Sequence, residues 1–193
     1  MRISPIEKSA LIIVDVQNDF LPGGALPVPN GDLIIGPLNN YIDLFIKKNL
    51  PIFATRDWHP KDHISFRERG GPWPPHCVQN TLGAEISGKL VLPPNARIVN
   101  KAFSPDKDAY SGFQETTLCL ELRELGVRRL FIGGLATDYC VKATVLDSIK
   151  LGFETVLLLD AIKGVSPEDS GKAVREMILN GAIGIVSEDL ITD

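Results

Sequence analysis

Cysteine is scarce in this sequence, and long apolar runs are missing from it. The three cysteines, Cys77, Cys119 and Cys140, are an odd number at wide spacings and form no CxxC pair. This argues against a disulfide framework and against the common zinc and redox motifs. Near the amino terminus only residues 10–14 are continuously apolar before Asp15 interrupts them. That run is too short for a signal peptide or a membrane span, so we expect a cytoplasmic protein in a reducing compartment.

An excess of basic charge is also missing. The 193 residues carry a formal net charge of -4, whereas nucleic acids and anionic membranes select proteins with a basic face. The sequence therefore predicts a small-molecule partner, and neither nucleic acid nor membrane. It contains no internal repeat, no low-complexity tract and no linker that leads into a second series of strands and helices. We expect a single domain over residues 1–193.

Short apolar or β-branched runs alternate along the chain with stretches that carry apolar residues at helical spacing. Such alternation predicts a mainly parallel sheet covered by helices on both faces. We therefore expect an α/β protein with three α/β/α layers and a mainly parallel, Rossmann-like sheet of six strands. The predicted strands are residues 10–14, 52–55, 96–99, 129–132, 155–159 and 182–186, and the predicted helices are residues 33–48, 115–125, 141–150 and 172–179.

Polar residues follow four of the predicted strands. Asp15 follows the first strand, and Asp57 and His59 follow the second. Lys101 comes after the third strand, and the fourth leads into a segment that contains Cys140. Each residue alone has an ordinary explanation as a cap, a turn residue or core. Because ligands bind beyond the carboxyl ends of parallel strands, the four strand ends together predict one site.

Cys140 is the candidate nucleophile of that site. It lies where a predicted helix begins, and the backbone N–H groups and the helix dipole there favour a thiolate. Cys119 lies inside a predicted helix and is expected to be inert core. A cysteine nucleophile needs a base. We expect Asp15 to act as that base, with its pKa raised by burial, while the positive charge of Lys101 steadies the thiolate and holds Asp15 in place.

A proline-rich loop, RDWHPKDHISFRERGGPWPPHC, holds all three histidines of the chain. Asp57 and His59 are spaced so that both side chains lie on one side of an extended segment. With His76, and with His63 as a less certain fourth ligand, they would suit Zn²⁺, or Fe²⁺ or Mn²⁺ with added waters. Exposed loop histidines without a metal are the alternative. Two aromatic residues, Phe20 and Trp73, could form walls for a planar ligand or could serve only in packing.

The chain resembles the nicotinamidase and pyrazinamidase group of the isochorismatase-like cysteine hydrolases. The resemblance covers nearly the whole chain, through the segments IIVDVQNDFLPGG, ATRDWHPKDHISF, WPPHC, DAYSGF and GLATDYCV in the family's order. It implies the isochorismatase-like hydrolase fold and deamidation of nicotinamide, and also of pyrazinamide. The products from nicotinamide would be nicotinate and ammonia, released through a cysteine thioester as a step in NAD salvage.

The resemblance also implies roles for individual residues. Asp15 would be the base, Lys101 its partner and Cys140 the nucleophile. A divalent metal, most simply zinc, would hold the pyridine nitrogen. The N–H groups of Ala136 and Cys140 would form the oxyanion hole, with a cis peptide bond before Ala136. One departure is that Ala102 follows Lys101 where the family commonly has glycine, so the backbone there cannot need a conformation open to glycine alone. By the same resemblance, the metal ligands would be Asp57, His59, His76 and in some members His63, and the substrate-binding residues Phe20, Trp73 and Tyr110.

Three other functions remain open from the residues alone. The protein could be a related amidase or isochorismatase-type hydrolase acting on another small molecule. It could be a metallohydrolase in which bound hydroxide attacks and Cys140 is structural. It could also be a binding protein whose metal only braces a loop. Assembly into a homo-oligomer is compatible with the sequence, which specifies no surface for it.

Overall fold

The computed structural model describes residues 7–190 of the chain. Strands and helices alternate through most of it, as the sequence predicts. Within this range every helix is too short or too polar to cross a membrane. A single π-helical turn, Thr137–Val141, precedes the third helix. The strands are β1 (Ser9–Val14), β2 (Ile52–Asp57), β3 (Arg97–Lys101), β4 (Arg129–Leu135), β5 (Glu154–Lys163) and β6 (Ile183–Ile185), and the helices are α1 (Ile35–Lys47), α2 (Leu118–Glu124), α3 (Lys142–Lys150) and α4 (Pro167–Leu179).

The six strands form one sheet in the order β3-β2-β1-β4-β5-β6, and every neighbouring pair is parallel. The prediction of a six-stranded parallel sheet is therefore confirmed. The strand order reverses direction beside β1, which has β2 on one side and β4 on the other. This is the order of a doubly wound dinucleotide-type sheet, in which ligands bind at the reversal.

The sheet divides the core into two layers because successive side chains of a strand point to opposite faces. Leu11 and Ile13 of β1 pack in the cluster that contains residues of α1. Ala10, Ile12 and Val14 pack on the other face with residues of α2, α3 and α4. All of β1 is buried, and each large apolar side chain so buried contributes about 1.5–3 kcal/mol. The predicted three-layer arrangement is confirmed.

Helix α4 begins at Pro167, five residues before the predicted start at residue 172. The Ser166 side chain accepts a hydrogen bond from the Asp169 N–H, and proline follows it as the first helical residue. Serine at the cap and proline at the first position are both favoured at helix starts. Apolar spacing alone missed this polar first turn. Helix α2 starts at Leu118, later than the predicted residue 115, and Glu115 has a left-handed backbone with a φ of 55°.

Candidate active site

The ends of three neighbouring strands bring the candidate chemistry together. Asp15 directly follows β1, Asp57 ends β2 and Lys101 ends β3, where Asp57 and Lys101 are paired residues in the parallel ladder. Cys140 lies on the π-helical turn that follows β4. Its sulfur lies within 4.8 Å of a carboxylate oxygen of Asp15 and of Asp57. The side chains expected to converge at this edge of the sheet do converge.

Lys101 lies at the centre of this group. Its Nζ is 3.0 Å from Oδ2 of Asp15 and 2.5 Å from Oδ1 of Asp57. It also lies 3.1 Å from the carbonyl oxygen of Ala109 and 3.5 Å from Sγ of Cys140. Burial of this fully inaccessible side chain works against its charge, but the two carboxylates outweigh burial and raise its pKa well above the usual value. The lysine is therefore a fixed positive charge between two carboxylates and a thiol.

Both oxygens of the Asp15 carboxyl group contact polar side chains. Thr55 donates a hydrogen bond of 2.6 Å from its hydroxyl to Oδ1. Oδ2 forms an ion pair with Lys101, with 3.0 Å to Nζ, and a carboxylate oxygen of Asp15 lies within 4.8 Å of Sγ of Cys140. Complete burial raises the pKa of Asp15, and Lys101 opposes that rise. A carboxylate with a raised pKa beside a thiol is suited to accept a proton.

Cys140 is only 6% exposed. Burial raises the pKa of its thiol well above the usual value, and the positive charge of Lys101 only partly offsets this. The start of the helix favours the thiolate, whereas burial of the sulfur favours the neutral thiol. A proton must leave it before the sulfur can attack a substrate.

Asp57, His59 and His76 form a group with the chemistry of a metal site. One potential ligand atom from each lies within 4.8 Å of the others, and all three residues are buried. Nδ1 of His59 lies 3.2 Å from the Ala102 carbonyl oxygen and Nδ1 of His76 lies 2.8 Å from that of Pro74. These contacts fix each ring and leave Nε2 for an ion, as is usual for metal-binding histidines. Burial lowers the pKa of His76, which favours the neutral, ligating form.

The carboxylate of Asp57 belongs both to the group around Lys101 and to the candidate metal site. Its Oδ1 contacts Lys101, and its Oδ2 is 3.7 Å from Nε2 of His59. Burial alone would raise the pKa of Asp57, but Lys101 and His59 together bring it below the usual value. The group is therefore ionised, as a carboxylate ligand must be. One carboxylate and two imidazoles suit zinc.

His63 is close to this group but its nitrogens are engaged elsewhere. Its ring centroid is 4.1 Å from that of His59. Nδ1 lies 2.7 Å from the hydroxyl oxygen of Ser65, and Nε2 lies 3.0 Å from the carbonyl oxygen of Lys107. His63 is not part of the group of Asp57, His59 and His76, whose ligand atoms lie within 4.8 Å of one another. The structure thus brings together three of the four predicted ligands.

One pocket is lined by the thiol, by two predicted metal ligands and by all three predicted aromatic residues. Cys140 and Asp57 lie in its wall with Phe20, Trp73 and Tyr110. The indole N–H of Trp73 donates a 3.0 Å hydrogen bond to the hydroxyl of Tyr110, which fixes the orientation of both rings. The pocket therefore combines flat apolar walls with a nucleophilic sulfur at one side. The other lining residues are Leu26, Pro27, Val28, His76, Ala136, Tyr139 and Val165.

The backbone around the pocket has unusual conformations. The Leu135–Ala136 peptide bond is cis, as the resemblance implied. Asp15 and Ala102 both have a φ of 49°, in the left-handed region. Ala102 thus occupies a conformation that favours glycine but that alanine can adopt at some cost. Such backbone conformations are concentrated at functional sites.

Several residues of the site were not found from the sequence. Tyr139 lies next to Cys140, and its ring meets that of Trp73 edge to face at 5.1 Å. Its place in the segment GLATDYCV was the available signal. Thr55, which ends a predicted strand, orients Asp15. Val165 reaches the pocket from the loop after β5, and no sequence pattern marks it.

The fold and the position of Cys140 put this protein in the class of parallel α/β proteins that carry a cysteine in a pocket at the sheet's reversal point. A family model described as the Isochorismatase domain matches residues 9–189. The chain belongs to the isochorismatase family.

Named relatives of this family are similar over nearly their whole length. A nicotinamidase from Escherichia coli strain K12 is 39% identical, with 90% of this chain and 92% of that protein covered. A pyrazinamidase of Pyrococcus horikoshii, solved in complex with zinc, is 57% identical with a TM-score of 0.91, covering 93% of this chain and 99% of that one. PnC1 from L. infantum, solved in complex with nicotinate, is 33% identical with a TM-score of 0.91 and 99% of both chains covered.

Proposed function

We propose that this protein is a nicotinamidase that hydrolyses nicotinamide, and also pyrazinamide, through a thioester on Cys140. The observation that carries the proposal is the position of the buried thiol. It lies 3.5 Å from Nζ of Lys101 and within 4.8 Å of a carboxylate oxygen of Asp15, in a pocket that also presents aromatic walls and Asp57. The similar proteins named nicotinamidase and pyrazinamidase support the choice of substrate.

The first step is proton transfer from the Cys140 thiol to the carboxylate of Asp15. Burial raises the pKa of both groups, so a buried proton can pass between them without either charge being exposed to water. Lys101 stays charged throughout, because its contacts with Asp15 and Asp57 raise its pKa. Its ammonium group stabilises whichever of the two acids is ionised at the time.

The sulfur then attacks the amide carbon and forms a C–S bond. The carbonyl oxygen takes the negative charge, and the N–H groups of Ala136 and Cys140 stabilise it as hydrogen-bond donors. Asp15 returns its proton to the departing nitrogen, the C–N bond breaks, and ammonia leaves. Water, deprotonated by Asp15, then cleaves the thioester to give nicotinate and restores the thiol.

Asp57, His59 and His76 would hold a divalent metal ion, and zinc is the ion that we propose. Such an ion supplies a localised positive charge to which the lone pair of a ring nitrogen can bind. The three side chains are buried beside the pocket, so they can place a ligand's ring at a fixed distance from the sulfur. His63 matches a position that some family members use as a further metal ligand, and its role as a ligand here stays a prediction. Its ring packs against that of His59. Fe²⁺ and Mn²⁺ are the alternatives.

The aromatic residues bind the flat faces of the pyridine ring. Trp73 and Tyr110 are joined by their hydrogen bond, and the ring of Phe20 lies 5.5 Å from that of His76. Rigid walls of this kind lower the entropic cost of orienting a planar substrate. We also propose that residues 1–193 form one domain and act in the cytoplasm as part of NAD salvage. A homo-oligomer stays a prediction.

The test is ammonia release by the purified protein from nicotinamide, pyrazinamide and a panel of N-carbamoyl compounds. We expect turnover of the two ring amides and little or none of the N-carbamoyl compounds. Turnover of the latter alone would identify a different amidase of the same family. Removal of the metal with a chelator should abolish turnover of nicotinamide, and addition of zinc should restore it. Full turnover by the Cys140→Ser variant would favour attack by a metal-bound hydroxide instead.

A further inference from the structure

Gln17 makes an unusual set of contacts two residues beyond Asp15. Its side chain is fully buried. Oε1 accepts a hydrogen bond of 2.8 Å from the Asp57 N–H, and Nε2 donates one of 2.8 Å to the Asp57 carbonyl oxygen. Nε2 donates a further hydrogen bond of 2.9 Å to the carbonyl oxygen of Ala84. One side-chain amide therefore pairs with both backbone polar groups of a single residue forty positions away.

These contacts replace a missing strand partner. On one side of β2, the ladder with β3 continues to Asp57, which pairs with Lys101. On the other side, the ladder with β1 has its last pair between Ile13 and Ala54. Asp57 thus lies beyond the reach of β1, and its backbone groups on that side would be buried without a partner. A buried backbone group without a hydrogen bond costs about 1–3 kcal/mol. The Gln17 amide supplies the two bonds that a neighbouring strand would have made.

The position of Asp57 matters because its carboxylate has two neighbours. Oδ1 contacts Lys101 and Oδ2 faces His59. A small shift of the backbone at Asp57 would change both distances at once. Because the Gln17 amide holds both the N–H and the carbonyl oxygen of Asp57, it restrains the rotation of this residue as well as its position.

We propose that Gln17 is a positioning residue for Asp57, and that it sets the affinity of the site for the metal. This inference rests on the proposed function, which makes Asp57 a metal ligand. The side-chain hydrogen bonds of Gln17 go to the backbone of Asp57 and Ala84, and not to the Asp57 carboxylate or the Cys140 thiol. Its effect on catalysis would come through the geometry of Asp57.

A purely structural role predicts something different. In that case, loss of the Gln17 contacts would lower the free energy of unfolding and leave metal binding unchanged. Asn39, which is partly exposed, offers a control with the same kind of contacts. Its side-chain amide also holds backbone groups of another segment, with 3.0 Å from Nδ2 to the Lys89 carbonyl oxygen and 2.9 Å from the Val91 N–H to Oδ1. None of these three residues lines the candidate pocket.

The experiment compares Gln17→Met, Gln17→Asn and Asn39→Leu with the wild type. Methionine matches the length of glutamine without its polar groups, and asparagine keeps the amide but is one methylene too short to reach Asp57. Zinc affinity is measured on the metal-free full-length proteins by competition with a chromophoric chelator, and stability by urea unfolding. We expect both Gln17 variants to bind zinc about 10–100-fold more weakly, as when other partners of metal ligands are removed. Asn39→Leu should lose stability alone.

The proposal also predicts rescue. Since the variants still contain all three ligands, saturating zinc should restore most of the turnover of nicotinamide by Gln17→Asn. If Gln17→Met does not fold, Gln17→Asn decides the question. Folded Gln17 variants with zinc affinity equal to that of the wild type, or an equal loss of affinity in Asn39→Leu, would overturn the proposal. If the Gln17 variants bound zinc more weakly but the wild type did not turn over nicotinamide, the positioning role would stand and the proposed substrate would be wrong.

Discussion

The most demanding consequence of the site's geometry concerns Lys101. Its ammonium group is completely buried and lies within ion-pair distance of both Asp15 and Asp57. The Lys101→Met variant would keep most of the side-chain volume but leave two carboxyl groups in the interior without an opposite charge. Removing one partner of a buried ion pair typically costs about 3–5 kcal/mol. Because folded domains are stable by only about 5–15 kcal/mol, the loss should be easy to measure.

The penalty should depend on pH. Without Lys101, burial would hold the pKa values of Asp15 and Asp57 above their unfolded values of about 3.9. The folded variant would then bind protons more tightly than the unfolded chain. The loss in the free energy of unfolding of Lys101→Met, relative to the wild type, is therefore complete at pH values above the raised folded pKa values. This loss shrinks as the pH falls through them. In the wild type, Asp57 has a lowered pKa, so its contribution to stability is also lost on acidification, which narrows the difference further.

Urea unfolding of the metal-free proteins at neutral and mildly acidic pH measures this effect. Lys47→Met is the control, since Lys47 forms an exposed ion pair with Asp43 one helical turn away, and such pairs contribute little. The reasoning would be refuted if Lys101→Met were no less stable than Lys47→Met, or if its loss of stability were the same at both pH values.

Three further results are expected. Thr55→Val removes the hydrogen bond that lowers the pKa of Asp15. The acid limb of the pH profile of kcat/KM should therefore move to higher pH by about one unit, which corresponds to about 1.4 kcal/mol. An unchanged acid limb would exclude Asp15 as the titrating base. Trp73→Phe keeps an aromatic ring but loses the hydrogen bond to Tyr110. Steady-state kinetics should give a higher KM with kcat nearly unchanged. A fall in kcat alone would contradict a binding role for Trp73. Cys119→Ala should retain wild-type ammonia release, since this thiol lies on α2 outside the pocket; a large loss would show that the nucleophile was assigned to the wrong cysteine.

The sheet and the convergence at its edge could be predicted from the sequence because both depend on local patterns. The continuous apolar run at residues 10–14 predicts a strand buried on both faces, and the polar residues at the strand ends, such as Asp15 and Lys101, must then meet at one edge. The alternation of strands and helices along the chain was enough to predict the three α/β/α layers. The order of the strands along the sheet was not predicted, since nothing local to a strand specifies its neighbours.

What the sequence could not give were contacts between distant segments and the balance of opposing energies. The amide of Gln17 reaches Ala84, sixty-seven positions away, and no periodicity indicates this. Whether the Cys140 thiol is ionised depends on burial against the charge of Lys101, and the sequence shows the charge but not the burial. His63 looked equivalent to the other histidines because its partners, Ser65 and the Lys107 carbonyl, are specified only by the folded loop.

The proposed mechanism requires that the sulfur of Cys140, with Asp15 as its base, carries the acyl group of the substrate. The most direct measurement is ammonia release from nicotinamide by the zinc-loaded wild type and by Cys140→Ala, side by side, with unfolding curves confirming that both are folded. We expect Cys140→Ala to lose turnover on the order of a millionfold, as when the nucleophile is removed from a comparable catalytic triad. A folded Cys140→Ala protein that still released ammonia at a rate close to that of the wild type would contradict the proposed mechanism.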